Sequence, residues 1–350
     1  MKCATNKQKN ANENDIVEQV QKLLEERGSK ALKEARNQVL QEKVECKEVR
    51  EALNYFMKEY WRDLTRPTLL SIACEAVGGD PELTTPIAVP LILISGAIDI
   101  HDDIIDQSKT KWSRPTVLGK FGKDIALLVG DALLFKGFTL LYKAVEKGIP
   151  ADKVATIINI IRKMFFELGD AEALELRFRG RMDVTPEEYL DVVRKKAADV
   201  EAYTHISAIL GGASKDETEA LSEYGRVLGM ILILRDDLVD MIDSEEFVHR
   251  IKKEYLPLPI LYALQNPEIN STLSPILLKK AIRRKDAEKI LEITDRAGGL
   301  GRVEKLMQEL TGKVYYSLEN FSYNIKYLKL IFEVILRPLQ EWRNSAKTTL

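Results

Sequence analysis

The sequence predicts an all-α protein, and three observations support this prediction. Apolar residues recur at helical spacing along almost the whole chain. No convincing run alternates apolar and polar residues in the way that a half-buried strand does. There is also no Gly/Ser/Pro-rich linker and no internal repeat. We therefore expect one domain over residues 16–350, built as an antiparallel helix bundle, and a disordered polar tail over residues 1–15.

The first helices can be placed from their start and stop signals. Two amphipathic helices are expected over residues 16–27 and 29–41, with Gly28 as the stop between them. Thr85 and Pro86 then supply an N-cap and a first-turn proline for a strongly apolar helix with a polar end. Its apolar character predicts that this helix is buried.

Further along the chain, breaks and caps continue to mark helices. Gly119 to Gly122 interrupt the pattern, after which residues 124–145 are again helical and apolar. Thr185 followed by Glu188 has the form of a capping box. Residues 229–241 form a second very apolar helix with an acidic end.

The composition is that of a soluble globular protein, since 45% of the 350 residues are hydrophobic and 30% are charged. Lysines and arginines number 52 against 54 aspartates and glutamates, so we expect no nucleic-acid partner. Three cysteines without CxxC spacing predict neither disulfides nor a zinc site, which fits the cytoplasm. The longest apolar stretch, residues 86–100, is too short to cross a bilayer, so no membrane span is expected.

Two acidic motifs share one form, DDIID at residues 102–106 (the first motif) and DDLVD at residues 236–240 (the second motif). In each, the first and last aspartates are four residues apart and project from one helix face, about 5–6 Å from each other. A solvated helix end is the ordinary explanation of a single motif. Two copies that each continue an apolar helix favour a metal site, because buried carboxylates must be paired or bind a cation. Oxygen ligands without histidine or cysteine indicate Mg²⁺.

With these motifs in place, the chain resembles the trans-isoprenyl diphosphate synthases, or polyprenyl synthetases, from about Lys58 to Arg343. Several ordered blocks carry the resemblance besides the two motifs: Arg66-Pro67, Arg114-Pro115-Thr116, Gly130-Asp131-Ala132-Leu133-Leu134, Lys196, and Leu258-Pro259-Ile260-Leu261 with Ala263-Leu264. The resemblance implies the isoprenoid synthase fold, a homodimer, and three Mg²⁺ ions that hold an allylic prenyl diphosphate between the motifs while pyrophosphate leaves.

The resemblance also assigns roles to the aspartates by position. It implies that five of them are metal ligands: Asp102, Asp103, Asp106, Asp236 and Asp240. With Asp237 added, all six aspartates of the two motifs are expected to take part in catalysis. The metals would neutralise charge that grows on the leaving group, and apolar walls would shelter the allylic cation from water.

The expected site for the acceptor, isopentenyl diphosphate, departs from the family where positive charge should stand. The family's Gly-Gly-Lys-x-x-Arg-Pro block keeps Arg66 here but has Asp63 in place of the lysine. In the Arg-Arg-Gly-x-Pro-Thr block, the arginine that serves the allylic diphosphate is Lys111, and the one that serves isopentenyl diphosphate is Trp112. Lys196 matches the family's allylic side. Losing two charged hydrogen bonds costs about 3–6 kcal/mol, so chain elongation is expected to be impaired.

We therefore expect ionisation of an allylic diphosphate in the manner of a terpene synthase, with the cation quenched by its own double bonds, by water or by another acceptor. One alternative is a chain-elongating, geranylgeranyl-type synthase in which Arg62 and Arg114 replace the lost cations, because long side chains reach beyond their backbone position. Another is a non-catalytic subunit of a heteromeric synthase, which the retained aspartates disfavour.

Residues before the first motif predict a deep substrate pocket. Ala97 and Ile98 stand where the family places a bulky aromatic residue that closes the pocket floor. Their small size implies an allylic chain of C15 or longer, with C20 or longer favoured. Ile94 would line the same pocket, although such a stripe is more often core packing. After the second motif, either Lys252 or Lys253 is expected to contact diphosphate.

Overall fold

The computed structural model describes residues 2–111, 113–319, 321, 323 and 325–335, with side chains described from Ile16 onward except those of Ser244 and Ser317. Helices make up nearly all of this part, which confirms the all-α prediction. Contacts divide the chain into two units. The first comprises Met1–Asn159, Ile206–Lys215 and Ser322–Leu328, and the second Ile160–His205, Asp216–Phe321 and Lys329–Leu350.

Among the described residues, the first unit wholly contains six α-helices and two strands, besides short π or 3-10 helices at Phe56–Tyr60, Pro81–Thr84 and Lys143–Lys147. The α-helices and strands are α1 (Lys2–Leu40), α2 (Lys47–Tyr55), α3 (Thr65–Glu75), α4 (Thr85–Asp106), β1 (Thr110–Lys111), β2 (Arg114–Pro115), α5 (Val117–Phe121) and α6 (Lys123–Tyr142). The boundary between the units falls within α7 (Ala151–Phe178) and α9 (Ala198–Gly211), and it also separates the first residue of α10 (Lys215–Ile242) from the rest of that helix. The second unit contains α8 (Pro186–Lys196) and nearly all of α10. Its later helices are α11 (Ser244–Lys253), α12 (Leu258–Leu264), α13 (Pro267–Leu277), α14 (Arg284–Arg296) and α15 (Gly299–Leu318).

α1 continues without a break through Gly28, so the prediction of two helices separated by that glycine is wrong. The reason is packing, because a Cβ at Gly28 would lie 2.7 Å from the backbone oxygen of Leu64, just before α3. Gly28 therefore permits a close approach of the chain to α1 and does not act as a helix stop. α1 begins at Lys2, and a disordered tail over residues 1–15 stays a prediction.

α4 is the buried helix of the first unit, as predicted. All residues from Ile87 to Ala97 are buried, and the helix packs along α6. Gly137 of α6 makes room for this contact, because a Cβ there would lie 2.6 Å from Cγ1 of Ile94. The helix ends where Gln107 takes the left-handed conformation, at φ 58°. The first motif thus occupies the C-terminal turns of a buried helix.

A small antiparallel hairpin follows α4, where the sequence predicted no strand. β1 and β2 pair Thr110 with Pro115 and Lys111 with Arg114. Strands of two residues are too short to produce an alternating pattern, so they could not be predicted from periodicity. Ser113 in the connection has a positive φ of 60°.

In the second unit, the predicted cap at the start of α8 is confirmed. The Thr185 side chain accepts the N–H of Glu188, and the Glu188 side chain accepts the N–H of Thr185. α10 contains the predicted apolar helix over residues 229–241 and ends at Ile242. The second motif therefore also lies in the last turns of its helix.

Two helical stretches are long and apolar enough to cross a membrane, judged by length and composition alone: Pro81–Asp106 and Lys123–Lys147. The first is longer than the apolar stretch over residues 86–100, because the helix extends past that stretch on both sides. It is mostly buried within the protein, whereas the second is mostly exposed. One or two such helices are weak evidence for a span, since core helices of soluble proteins pass the same test. The absence of a membrane span stays a prediction.

The close approach at Gly28 predicts a loss of stability on substitution. Gly28→Ala should lower the free energy of unfolding by about 1–3 kcal/mol, since the methyl group would overlap backbone that cannot move away easily. Gly169→Ala is the matched control, because Gly169 lies within α7 and an added Cβ meets no described atom within 4 Å. Gly169→Ala should raise the free energy of unfolding by about 0.5–1 kcal/mol, because alanine favours a helix more than glycine does. Urea denaturation measures both, and a stabilising Gly28→Ala would contradict the packing.

Candidate active site

The first motif is organised around one ammonium group from the hairpin. Lys111 Nζ lies 2.9 Å from Asp103 Oδ1, 3.3 Å from Asp102 Oδ2 and 3.5 Å from Asp99 Oδ1. Three carboxylates therefore share one positive charge, and the site keeps an excess of negative charge. Such a cluster favours a further cation.

The fold of the hairpin fixes the position of Lys111. The Thr116 N–H donates to the Lys109 carbonyl at 2.9 Å, and the Thr116 hydroxyl donates to the Ser108 carbonyl at 2.7 Å. Gly119 lies against the same Lys109 carbonyl, where a side chain would not fit. These contacts close the segment around β1 and β2 and hold Lys111 beside the end of α4.

The aspartates of the first motif differ in environment. Asp103 is only 1% exposed, and burial raises its pKa to about 7 even though the charge of Lys111 opposes the shift. Burial likewise raises the pKa of Asp99. Asp102 and Asp106 are half-buried and lie one helical turn apart. The inner aspartate thus faces the protein, and the two outer ones lie closer to solvent.

The donor set of the first motif fits a Mg²⁺ ion. The Oδ2 atom of Asp103 is buried and has no hydrogen-bond partner among the described residues, so a cation would satisfy it. Asp102 and Asp106 offer further hard oxygens, and Mg²⁺ commonly takes its remaining ligands from water and substrate phosphates. Within the described ranges, no three His, Cys, Asp or Glu side chains already converge to hold an ion.

The second motif is organised around a guanidinium group from α11. Arg250 Nη1 lies 2.6 Å from Asp237 Oδ1 and 2.8 Å from Asp240 Oδ2. Asp237 is 1% exposed and also accepts a hydrogen bond from the Tyr189 hydroxyl. Burial raises the pKa of Asp237 to about 7, with the charge of Arg250 opposing the shift. By contrast, the Asp236 side chain is 58% exposed.

The two motifs therefore have the same arrangement, each within its own unit. In each, the second aspartate is buried against a cation from a segment that follows the helix, Lys111 for Asp103 and Arg250 for Asp237. The first and last aspartates of each motif are less buried. We expect the outer aspartates to be the principal metal ligands and the inner ones to anchor the helix ends.

Lys196, predicted to bind diphosphate, is held by two carboxylates of α7. Its Nζ lies 2.6 Å from Glu175 Oε2 and 3.0 Å from Glu172 Oε1. Glu175 is buried and also accepts a hydrogen bond from Tyr255, whose ring lies 5.2 Å from that of Tyr189. Lys196 is thus positioned by α7 within the second unit, where it would have to exchange carboxylate contacts for phosphate contacts.

Asp63, which replaces a family lysine, has a local structural role. Its Oδ1 accepts the N–H groups of Thr65 at 2.8 Å and Arg66 at 3.3 Å, which are the first two residues of α3. Its Oδ2 lies 2.8 Å from Nη1 of Arg66. The carboxylate is therefore engaged by the helix start and by the adjacent arginine.

Two further arginines lie beside this helix start. The Arg36 Nη2 of α1 donates to the Trp61 carbonyl at 3.2 Å, next to the exposed Arg62. Burial and the nearby charge of Arg62 lower the pKa of Arg36. In the part of the chain that the structure describes, neither arginine forms an ion pair with a carboxylate. The other predicted compensating residue, Arg114, is exposed on β2, and Trp112 lies outside the described residues.

A model of the polyprenyl synthetase family matches residues 46–294, which is most of the chain. The chain belongs to this family. Among curated relatives, it is 36% identical over 188 residues to the geranylgeranyl diphosphate synthase of Methanosarcina mazei, covering 53% of this chain and 57% of that protein. It is 35% identical over 182 residues to the short chain isoprenyl diphosphate synthase of Methanothermobacter thermautotrophicus, covering 52% and 55%. The matched region thus spans a little over half of these relatives.

Solved structures of the family share the fold. The geranylgeranyl pyrophosphate synthetase of Pyrococcus horikoshii superposes with a TM-score of 0.81 at 25% identity, covering 91% of this chain and 99% of that one. The polyprenyl synthetase of Streptomyces coelicolor superposes with a TM-score of 0.79 at 22% identity, covering 90% of this chain and 99% of that one. The family prediction and the isoprenoid synthase fold are therefore confirmed.

In this family member, the residues predicted to shape the substrate pocket lie on α4. Ala97 is buried and Ile98 is half-buried, whereas Ile94 is packed against Gly137 of α6. Ile94 thus makes the core contact that such a stripe usually makes. A pocket lined by Ala97 and Ile98 stays a prediction.

Sequence reasoning did not identify the partners that organise the sites. Glu172 and Glu175 lie three residues apart on one face of α7, and this spacing could have suggested a lysine partner. Arg250 carried no such signal, since it reaches the second motif from another helix. The sequence around Tyr189 carries no local signal of its hydrogen bond to Asp237. Lys252 and Lys253, the predicted diphosphate contacts, are exposed.

Removing the ammonium group should destabilise the first unit. Lys111→Met leaves Asp103 buried without its cation, so we expect a loss of about 3 kcal/mol in the free energy of unfolding near neutral pH. Since the pKa of Asp103 is raised to about 7, protonation at lower pH should remove part of the repulsion and shrink the loss. Urea denaturation at two pH values measures this. Lys109→Met, at an exposed lysine, is the control. An equal loss in both variants would contradict the role of Lys111.

Proposed function

We propose that the protein is a chain-elongating prenyl diphosphate synthase that joins isopentenyl diphosphate to an allylic diphosphate. Curated relatives at 36% and 35% identity are named geranylgeranyl diphosphate synthase and short chain isoprenyl diphosphate synthase, which supports this activity. They favour the elongating alternative over the terpene-synthase-like expectation. A product of geranylgeranyl type, C20, is the chain length that these relatives suggest.

The observation that carries the proposal is the environment of Asp63. The expectation of impaired elongation assumed that this carboxylate repels the acceptor diphosphate. Its two oxygens are instead engaged by the start of α3 and by Arg66. Arg36 and Arg62 lie beside this helix start, and among the described residues neither forms an ion pair with a carboxylate. We infer that the cluster of Arg36, Arg62 and Arg66, called here the arginine cluster, supplies the acceptor site with positive charge.

The motifs supply the allylic side of the same reaction. The proposed metal ligands are Asp102, Asp103, Asp106, Asp236 and Asp240, and the family implies three Mg²⁺ ions. Mg²⁺ bound there would offset the charge that develops on the departing pyrophosphate. Lys111 and Arg250 keep the motif carboxylates in place before substrate arrives, whereas Lys196 is held by Glu172 and Glu175. A small residue at Ala97 leaves space for an allylic chain of C15 or longer.

Ionisation without an acceptor is the second candidate function. The ion pair between Asp63 and Arg66 supports it, because an arginine that is already neutralised offers less to a diphosphate. Trp112, in place of a family arginine, supports it as well. In that case water or the substrate's own double bonds would quench the cation.

We also propose that the protein forms a homodimer in the cytoplasm. The outer face of α6 carries large apolar side chains in exposed positions, among them Leu128, Phe135 at 78% and Tyr142 at 74% exposure. They recur every seven residues and so lie along one side of the helix. An apolar stripe of this kind matches a second copy of itself across a twofold axis, as symmetric dimers require.

A two-substrate assay tests the proposed function. The purified protein with Mg²⁺ and a C15 allylic diphosphate should release pyrophosphate only when isopentenyl diphosphate is present, and the product should be longer. Asp236→Ala should abolish the release yet remain folded, because it removes an exposed carboxylate from a repulsive group. If pyrophosphate is released equally well without isopentenyl diphosphate, and the product is not lengthened when it is present, the second candidate function would be established instead.

The arginine cluster makes a separate kinetic prediction. Arg36→Gln and Arg62→Gln should each raise the KM for isopentenyl diphosphate by about tenfold, the value of one charged hydrogen bond. The KM for the allylic diphosphate should change less than about twofold. Lys33→Gln, at an exposed lysine that lies on α1 like Arg36, should alter neither KM value. Equal effects on both substrates would show that the cluster does not belong to the acceptor site.

A further inference from the structure

The helix that follows the second motif places its basic residues in two different environments. α11 begins after Asp243, whose carboxylate accepts its first N–H groups. Lys252 and Lys253 near its end are exposed, whereas Arg250 is buried. The basic residue of α11 that faces the second motif is therefore Arg250.

Arg250 contacts three carboxylates at once. Its Nη1 lies 2.6 Å from Asp237 Oδ1 and 2.8 Å from Asp240 Oδ2, and its Nε lies 3.2 Å from Glu254 Oε2. An arginine keeps its charge at all ordinary pH values, so this guanidinium is a permanent counter-ion. One positive charge among three carboxylates leaves the group acidic. The second motif is thus held together without a metal but still attracts one.

Asp240 is the residue for which two cations would compete. It lies one helical turn from Asp236 and is a proposed metal ligand, yet its Oδ2 is engaged by Arg250. Among the described residues, Asp236 pairs only with its half-buried neighbour Arg235, and the contact has little energetic weight because the Asp236 side chain is 58% exposed. At Asp236 a divalent cation meets an ion pair whose carboxylate is 58% exposed, whereas at Asp240 it competes with a buried guanidinium for Oδ2.

We propose that Arg250 is a positioning residue that holds Asp237 and Asp240 when no metal is bound, and that a divalent cation binds the second motif by drawing Asp240 away from it. The inference rests on the metal dependence of the proposed function. Asp237 stays with Arg250 and Tyr189 in both states. Metal alone then binds this motif weakly. Diphosphate strengthens the binding, because its oxygens can take the guanidinium contact that Asp240 gives up.

Metal binding to the substrate-free protein tests this inference. Mn²⁺ is the probe, and the free ion is counted by electron paramagnetic resonance. Arg250→Gln should tighten Mn²⁺ binding at one site by about tenfold or more, since one charged contact no longer competes for Asp240. Adding Asp240→Asn to that variant should reverse the gain. Arg296→Gln, which removes an exposed arginine of α14, should bind Mn²⁺ as the unmodified protein does.

Folding is measured with the same variants, because the loss of Arg250 leaves buried carboxylates without their cation. Arg250→Gln should melt at a lower temperature than the unmodified protein, and Mn²⁺ should raise its melting temperature by a larger amount. Arg250→Lys keeps the positive charge but loses the planar guanidinium group. Its Mn²⁺ affinity should therefore fall between those of the unmodified protein and Arg250→Gln.

Two results would overturn the inference. One is a folded Arg250→Gln protein with unchanged Mn²⁺ affinity. The other is failure of both Arg250 variants to fold whether or not Mn²⁺ is present, which would make Arg250 a structural residue only. The outcome is independent of the two-substrate assay, since a protein that lacks elongating activity can still show or fail to show this competition.

Discussion

Each of the two aspartate motifs depends on repulsion between carboxylates at the C-terminal end of an apolar helix. Each motif places like charges one helical turn apart, which is unfavourable. The C-terminal end of a helix also carries partial negative charge, so aspartates there are disfavoured a second time. Burial of Asp103 and Asp237 adds the cost of removing a charge from water. Both helix ends therefore require positive charge from another part of the chain.

The two units satisfy this requirement with different chemistry. A lysine on a short hairpin reaches the first motif as a compact point charge that serves three aspartates. A buried arginine on a helix serves the second, and its planar fork fixes the geometry of the carboxylates it contacts. The ammonium group can shift among its partners more readily than the guanidinium group. The first motif is therefore the more adaptable of the two, and the second the more rigid.

Patterns local in sequence predicted the helical fold and the motifs. The capping box at Thr185 and the burial of α4 follow from periodicity and cap chemistry, which act over a few residues. Gly28 was misjudged because its role is set by a distant stretch of chain near Leu64. Both aspartate motifs were found, yet the cations that pair with their inner residues come from elsewhere in the fold. Asp63 illustrates the same limit, since a substitution that looks like repulsion in the sequence is a helix cap in the structure.

Within the proposed acceptor region, comparing one sequence block with the family gave an incomplete account of the charged residues. Comparing one block with the family showed a lysine lost and an aspartate gained. The structure adds Arg36, which is far away in sequence on α1 but lies beside Trp61. A site can therefore keep its electrostatic character while its residues are drawn from different helices. Such exchanges are invisible to any comparison that aligns one motif at a time.

The hairpin that carries Lys111 tolerates little change in length. Thr116 is hydrogen-bonded to the carbonyls of Ser108 and Lys109, and Gly119 packs against the Lys109 carbonyl. These contacts leave no room for an additional residue in the segment. Side chains alternate in direction along a strand, so one inserted or deleted residue would turn the ammonium group away from Asp103. Evolution can thus vary residue types here more easily than it can insert or delete residues. In this part of the chain, a change in length would therefore disturb the pairing of Lys111 with Asp103 more than most changes of residue type would.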